Sequence, residues 1–272
     1  NVVCTGSDVD TITLGDGENL VSAGGGANTI IAGNGQNVVW GGDGVDTITV
    51  GNGGNYIDGR EGPANTIISG SGDDTVISGG GADTITTDGG DDLILLKGGA
   101  DVISAGTGFD KLVVDYSGVS AGITNAISGG TVAAGYTGTL AGNGDATFSG
   151  VESFDITTGT GNDNITVGDG DDIIDTGTGD DDVHAGGGDD YIYGNGGDTI
   201  DGGAGFDTLN LGLSNANNTT VVHNTSTGNG SVTFNSDNST LTFTNIENIV
   251  YKPLAPTITF QEPEPDMCMV PC

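Results

Sequence analysis

Residues 70–112 read GSGDDTVISGGGADTITTDGGDDLILLKGGADVISAGTGFDKL, and one nine-residue phrase recurs through them with almost no drift. Asp stands at 74, 83, 92, 101 and 110, each with Gly two residues before it and Val, Ile or Leu two residues after. The phrase is x-Gly-x-Gly-x-Asp-x-U-x, with U aliphatic. A fixed period of this kind decides architecture before local propensity does. Upstream the phase holds at Asn1, Asp10, Asn19, Asn28, Asn37, Asp46 and Asn55, takes one inserted residue, and resumes at Asn65. Downstream it returns at Asp163, Asp172, Asp181 and Asp190, loses one residue, and continues at Asp198 and Asp207.

Period-2 alternation lasts only for x-U-x, so each phrase holds one short strand with a single inward side chain. The other six residues are turn, where Gly supplies conformations that other residues resist. Two phrases make one coil, with a strand on each side. Coils stack about 4.8 Å apart, which sets residues 18 apart above one another. The inward column of the first block is Val3, Ile12, Val21, Ile30, Val39, Ile48, Ile57, Ile67, Val76, Ile85, Ile94, Ile103 and Leu112. One aliphatic per phrase makes a thin core. Stacking also brings the Asp carboxylates to about 5 Å, where each adjacent pair repels by roughly 3 kcal/mol at an effective dielectric of 20.

Four Lys and Arg face 38 Asp and Glu, a formal charge of −34, so the chain cannot neutralise these columns itself. Carboxylates plus carbonyls of Gly-rich turns form an all-oxygen ligand set suited to calcium. Magnesium prefers a tighter octahedron with retained water. Zinc wants His or Cys, and His184 falls at a strand position. The repeated phrase resembles the calcium-binding nonapeptide of RTX (repeats-in-toxin) proteins, over roughly two thirds of the chain. That resemblance implies an all-β fold, a right-handed parallel β-roll with Ca2+ between coils. The candidate metal ligands are Asp46, Asp74, Asp83, Asp92, Asp101, Asp110, Asp163, Asp172, Asp181, Asp190, Asp198 and Asp207. An ion between coils needs a carboxylate from each. The complete pairs are Asp74 with Asp92, Asp83 with Asp101, Asp92 with Asp110, Asp163 with Asp181, Asp172 with Asp190, Asp181 with Asp198, and Asp190 with Asp207. Asn19, Asn37 and Asn55 predict an amide ladder with weak or absent calcium.

The expected organisation is a first roll (1–112), a β insert or cap (113–158), a second roll (159–211), a second insert or cap (212–251) and a Pro-rich extended tail (252–272). The inserts are expected as small antiparallel segments, because β-branched and polar residues alternate there with Gly between. GFDKLVVDYSG to FSGVESFDI parallels GFDTLNLGLSN to FTNIENIVY, so each roll is followed by one copy. Glu152 and Glu247 recur in this frame and are read as capping residues rather than catalytic ones. The first roll has two unlike outward faces. One carries Thr11, Thr13, Thr29, Thr47, Thr49, Thr66, Thr84 and Thr86, which resembles the Thr arrays of ice-binding β-solenoids. Leu20, Val38, Trp40, Tyr56, Ile77, Leu93, Leu95 and Val113 line the other, an expected contact with another subunit or domain.

N-x-S/T sequons occur at Asn164, Asn217, Asn218, Asn224, Asn229 and Asn238. Asn1 already occupies the sixth position of a phrase, so the chain is expected to be either a fragment or mature product of a longer one, or one whose first coil is left open to stack on something. Cys4, Cys268 and Cys272 are odd in number, which directs attention to a disulfide between subunits, a tail cysteine of one to Cys4 of the next. No apolar run is long enough to span a bilayer. The charge excludes ordinary nucleic-acid binding. No zinc-protease motif, nucleophile elbow or phosphate-binding loop is present, and no enzyme activity is expected. The reading is an extracellular, calcium-binding structural protein that folds on calcium and assembles into a homo-oligomer or polymer, as a surface layer, filament or adhesin segment. The alternatives are the C-terminal secretion and folding module of an exoenzyme or toxin, and an ice-binding solenoid.

Overall fold

The computed structural model describes residues 1–59, 62–212 and 218–251. Every regular element in them is a β-strand, most of them three or four residues long. Successive strands alternate between two sheets, one of twelve strands and one of fifteen, so each coil contributes one strand to each sheet. Neighbours are parallel and their partners lie 18 residues apart, as in Ile85↔Ile103 and Ile94↔Leu112. Across the inserted residue the spacing becomes 19 (Ile48↔Ile67), and across the deleted one 17 (Ile192↔Leu209). The parallel β-roll is therefore built at the period of the phrase.

The U residues pack between the sheets. Val21, Ile30, Val39, Ile48, Ile57, Ile67, Val76, Ile85, Ile94 and Leu112 are fully buried, and Val3 in the first coil is only partly so. The turns stack as tightly as the strands. A Cβ on Gly42, at the first Gly position of its phrase, would come within 1.7 Å of the Gly24 carbonyl oxygen in the preceding coil. Asp88 fills that same position in its phrase and takes φ of 58°, the left-handed conformation that Asp tolerates.

The two repeat blocks share both sheets without a break. Lys111–Asp115 and Ser153–Thr157 are consecutive parallel strands of the first sheet. Between them Thr124–Thr131, Gly135–Ala141 and Ala146–Val151 form an antiparallel meander inside the second sheet, with Thr147 paired to Val102 and Thr124 paired to Asn164. Rather than closing the end of the first roll, this segment splices the two rolls, with Phe148 and Phe154 packed edge to face at 5.2 Å in the core. The second copy repeats the topology. Thr219–Asn224, Asn229–Phe234 and Thr240–Thr244 form its meander, and Asn248–Val250 returns to the first sheet.

The splice shifts the register. Asp110 is followed in its column by Glu152, and Leu112 pairs with Phe154. Yet Ile156, not Phe154, pairs with the next inward residue, Ile174. The second roll is thus displaced by two residues along the strands, and its acid column begins afresh at Asp172.

The outward faces differ as the sequence predicts in composition but not in exposure. Thr11, Thr29, Thr47, Thr66 and Thr84 form an exposed column. On the other sheet Trp40, Ile77 and Leu95 are buried, and Leu20, Val38, Tyr56, Leu93 and Val113 are half-buried.

Candidate metal sites in the turn columns

The sixth residue of each phrase sits where turn becomes strand, and its side chain folds back into the stack of turns. All seven predicted carboxylate pairs are adjacent. In each, the backbone N–H of the earlier Asp donates to Oδ1 of the later one: Asp74 to Asp92 at 2.8 Å, Asp83 to Asp101 at 2.7 Å and Asp92 to Asp110 at 2.9 Å. In the second roll the contacts are Asp163 to Asp181 at 2.8 Å, Asp172 to Asp190 at 2.9 Å, Asp181 to Asp198 at 3.2 Å and Asp190 to Asp207 at 3.0 Å. Asp46 stands between two amides, accepting from Asn28 N–H and donating its own N–H to Asn65 Oδ1.

One oxygen of each carboxylate is thereby used, and the second decides the chemistry. Oδ2 of Asp46, Asp74, Asp83, Asp92, Asp101, Asp110, Asp172, Asp181, Asp190 and Asp207 is buried with no hydrogen-bond partner. A buried acceptor left in this way costs about 1–3 kcal/mol, more when charged. Burial accordingly pushes these carboxyls above the usual range: Asp83 to about 6, Asp92 and Asp101 to about 7, Asp190 to about 8 and Asp172 to about 9. Neighbouring carboxylates add to the rise at Asp92, Asp101, Asp190 and Asp172. Two predicted ligands differ. Asp163 Oδ2 accepts from Thr158 Oγ1, and Asp198 Oδ2 accepts from Asn195 N–H at 2.7 Å.

The amide positions show what such a site holds. Asn19 Nδ2 donates to the Gly15 and Gly17 carbonyls and to Asn37 Oδ1. Asn37 repeats this with Gly33, Gly35 and Asn55, and Asn55 with Gly51, Gly53 and Asp74. A neutral N–H₂ group, whose hydrogens are partly positive, lies between two turn carbonyls and the next side chain up the column. Where Asn becomes Asp that donor is lost while the turn is kept. The residues fit a cation there: one carboxylate from each of two coils, with carbonyls of the intervening turns, Gly70 and Gly72 for Asp74, or Gly106 and Gly108 for Asp110. No group of three or more His, Cys, Asp or Glu is clustered among the described residues, so the backbone must complete any shell.

A family defined by the RTX calcium-binding nonapeptide repeat (4 copies) matches residues 5–39, 22–57, 40–62, 64–94, 97–113, 157–192, 175–209 and 192–215. The chain belongs to the RTX repeat family. Among curated proteins, none matches it. The RTX assignment makes calcium the cation that the orphaned oxygens call for, and it accounts for both repeat blocks but not for the meander that follows each.

Two acids extend the RTX columns beyond the Asp set. Glu152 Oε2 accepts from Asp110 N–H at 2.7 Å, and Glu247 Oε2 accepts from Asp207 N–H at 2.8 Å. Glu152 is buried, and desolvation raises its pKa. The signal was present: each Glu stands two residues before an inward residue, Phe154 or Ile249, which is the Asp-x-U spacing. The fifth position has a structural role that spacing did not show. Asp73 and Asp91 at the surface each cap a backbone N–H one coil later, those of Asp91 and Phe109.

Proposed function

We propose that this RTX chain is an extracellular structural protein that folds as calcium enters its turn columns and then assembles, as a segment of a surface layer, filament or adhesin. The observation that supports the folding step is the set of ten buried Oδ2 atoms without partners. In the unfolded chain those oxygens are hydrated; in the coil a bound cation would satisfy them. Ions that bind the coil alone contribute their binding energy to folding. The low calcium of a cytosol would keep such a chain unfolded for export, and the higher level outside would set it. Among the described residues no helix is long and apolar enough to cross a membrane. Assembly is supported by the edge strand Thr219–Asn224 of the second sheet, which among the described residues has one neighbour, Asn229–Phe234.

The test is negative-stain microscopy with light scattering in millimolar calcium and again after EGTA. Filaments or sheets that soften on chelation support assembly. Monodisperse monomers that merely unfold would leave the calcium step standing and move the function to a folding module of a larger exported protein. The exposed Thr column favours a second reading, ice binding, although Ile31 and Ile68 interrupt the neighbouring column Thr13, Thr49 and Thr86. Absence of ice-recrystallisation inhibition by folded protein removes it.

A further inference from the structure

A column of outward side chains runs the whole length of the first sheet, from Cys4 through Ser22, Trp40, Asp58, Ile77 and Leu95 to Asn248 in the last strand. Its middle is shut off from water. Trp40 is 6% exposed, Ile77 3% and Leu95 7%, while Ile31 and Ile68, outward on the second sheet, are 44% and 38% exposed. Both sheets have the same strand pitch and the same stacking of neighbours. Stacking alone therefore leaves an outward Ile open, as it does Ile173 further along this same column at 36%, and something overlies the first sheet around Trp40, Ile77 and Leu95.

Cys4, at the far end of this column, is in a disulfide. The other cysteines are Cys268 and Cys272, both in residues 252–272, outside the described residues. That segment follows Tyr251, the residue after Asn248–Val250, which is the strand at the opposite end of the same sheet. Twelve strands put Cys4 eleven steps away, about 53 Å at 4.8 Å per step. Cys268 is seventeen residues beyond Tyr251 and reaches about 56–61 Å when fully extended. At the polyproline II rise it reaches about 53 Å, and Cys272 has slack to spare. The composition fits the path. A segment crossing the face of a paired sheet finds no backbone partners there, and five of its residues are Pro, which has no N–H to leave unsatisfied. Leu254, Ile258, Phe260 and Met267 supply apolar contacts.

We propose that residues 252–272 form a strap that runs back along this column, covers Trp40, Ile77 and Leu95, and is fastened to Cys4 of the same chain. The strap ties the last coil to the first across all twelve strands. It also occupies the face that composition alone marks as an interface between subunits.

The test is disulfide peptide mapping on the oxidised, calcium-loaded full chain, prepared from mixed ¹⁴N and ¹⁵N protein. The expected result is a Cys4 peptide joined to a tail-cysteine peptide, in monomer and of one isotope. A mixed-isotope pair would place a second copy's tail on the face and overturn the proposal, as would a free Cys4 thiol. Trp40 is the chain's single Trp and gives an independent readout. Removal of residues 252–272 is expected to red-shift its emission and raise acrylamide quenching severalfold. A truncated chain that keeps its β signal with unchanged quenching overturns the strap. Where the truncated chain does not fold, the mapping on the full chain decides.

Discussion

Asn37 and Asp92 occupy the same phase of the same column, three coils apart, in turns of the same length. Asn37 places an amide nitrogen between the Gly33 and Gly35 carbonyls and passes it on to Asn55 Oδ1. Asp92 makes the same backbone contacts along the column, but its Oδ2 has no partner. The first-sheet column therefore changes character at Asn55, whose amide donates to Asp74 Oδ1. Below that point the turns carry their own donors; above it a cation from solution would take that place. The same fold carries two different chemistries at one position, a side-chain donor where the residue is Asn and an unpartnered oxygen where it is Asp.

Chelation is expected to have the largest effect. EGTA at pH 8 should abolish amide-exchange protection in the acidic coils, residues 74–112 and 163–211, before the amide-laddered coils of residues 19–58 lose theirs. Exchange mass spectrometry showing simultaneous loss everywhere would erase the distinction between the two chemistries. The next largest is the pH dependence of metal-free protein. Folded-state carboxyl pKa values raised to about 6–9 mean that the coil holds protons which the unfolded chain releases near 4. Stability from this source is present at low pH and lost as pH rises through that window. Without calcium, the thermal midpoint should thus be higher at pH 5 than at pH 8; with saturating calcium the order reverses, because protons compete for the same oxygens.

Exchange of the two side chains sharpens the comparison. Asn37→Asp sets a carboxylate against three acceptors and should cost about 1–3 kcal/mol in chelator, with recovery in calcium. Denaturant midpoints in EGTA and in calcium check this. Asp92→Asn should do the reverse, giving up calcium shared with Asp74 and Asp110 while supplying an N–H₂ group in its place. Calorimetry should find fewer ions bound and a smaller gap between metal-free and loaded stability. The smallest effect is expected from Glu152→Gln, which alters only the last coil of the first column and should weaken its ion by less than about tenfold, or ~1.4 kcal/mol.

The coil, its period and the seven Asp pairs were legible because each is a relation between residues at one phase of one repeat. So was the amide ladder, since Asn at that phase has both a donor and an acceptor. The two-residue step at the splice was not, because it depends on Phe154 and Ile156 sharing one strand with different partners on either side. Nor was the burial of Trp40 and Ile77. Alternation says only that they point away from the core, not that they are covered. Glu152 and Glu247 were visible as a recurrent pair, but their place in the acid columns emerged only once their carboxylates were seen against Asp110 and Asp207 N–H.

Stacking at 18 residues per coil has a mechanical consequence. A coil occupies about 4.8 Å of the roll's length, yet its chain measures about 60 Å when drawn straight. Pulled from its ends with the Cys4 disulfide reduced, such a rod gains about 55 Å for every coil that peels away, and it does so one rung at a time. Rungs clamped by ions yield at a force set by the surrounding salt, and rungs held by amides at one set by the sequence. A tether of this design lets out slack in graded steps instead of snapping, and rewinds when the load is removed and the ions return.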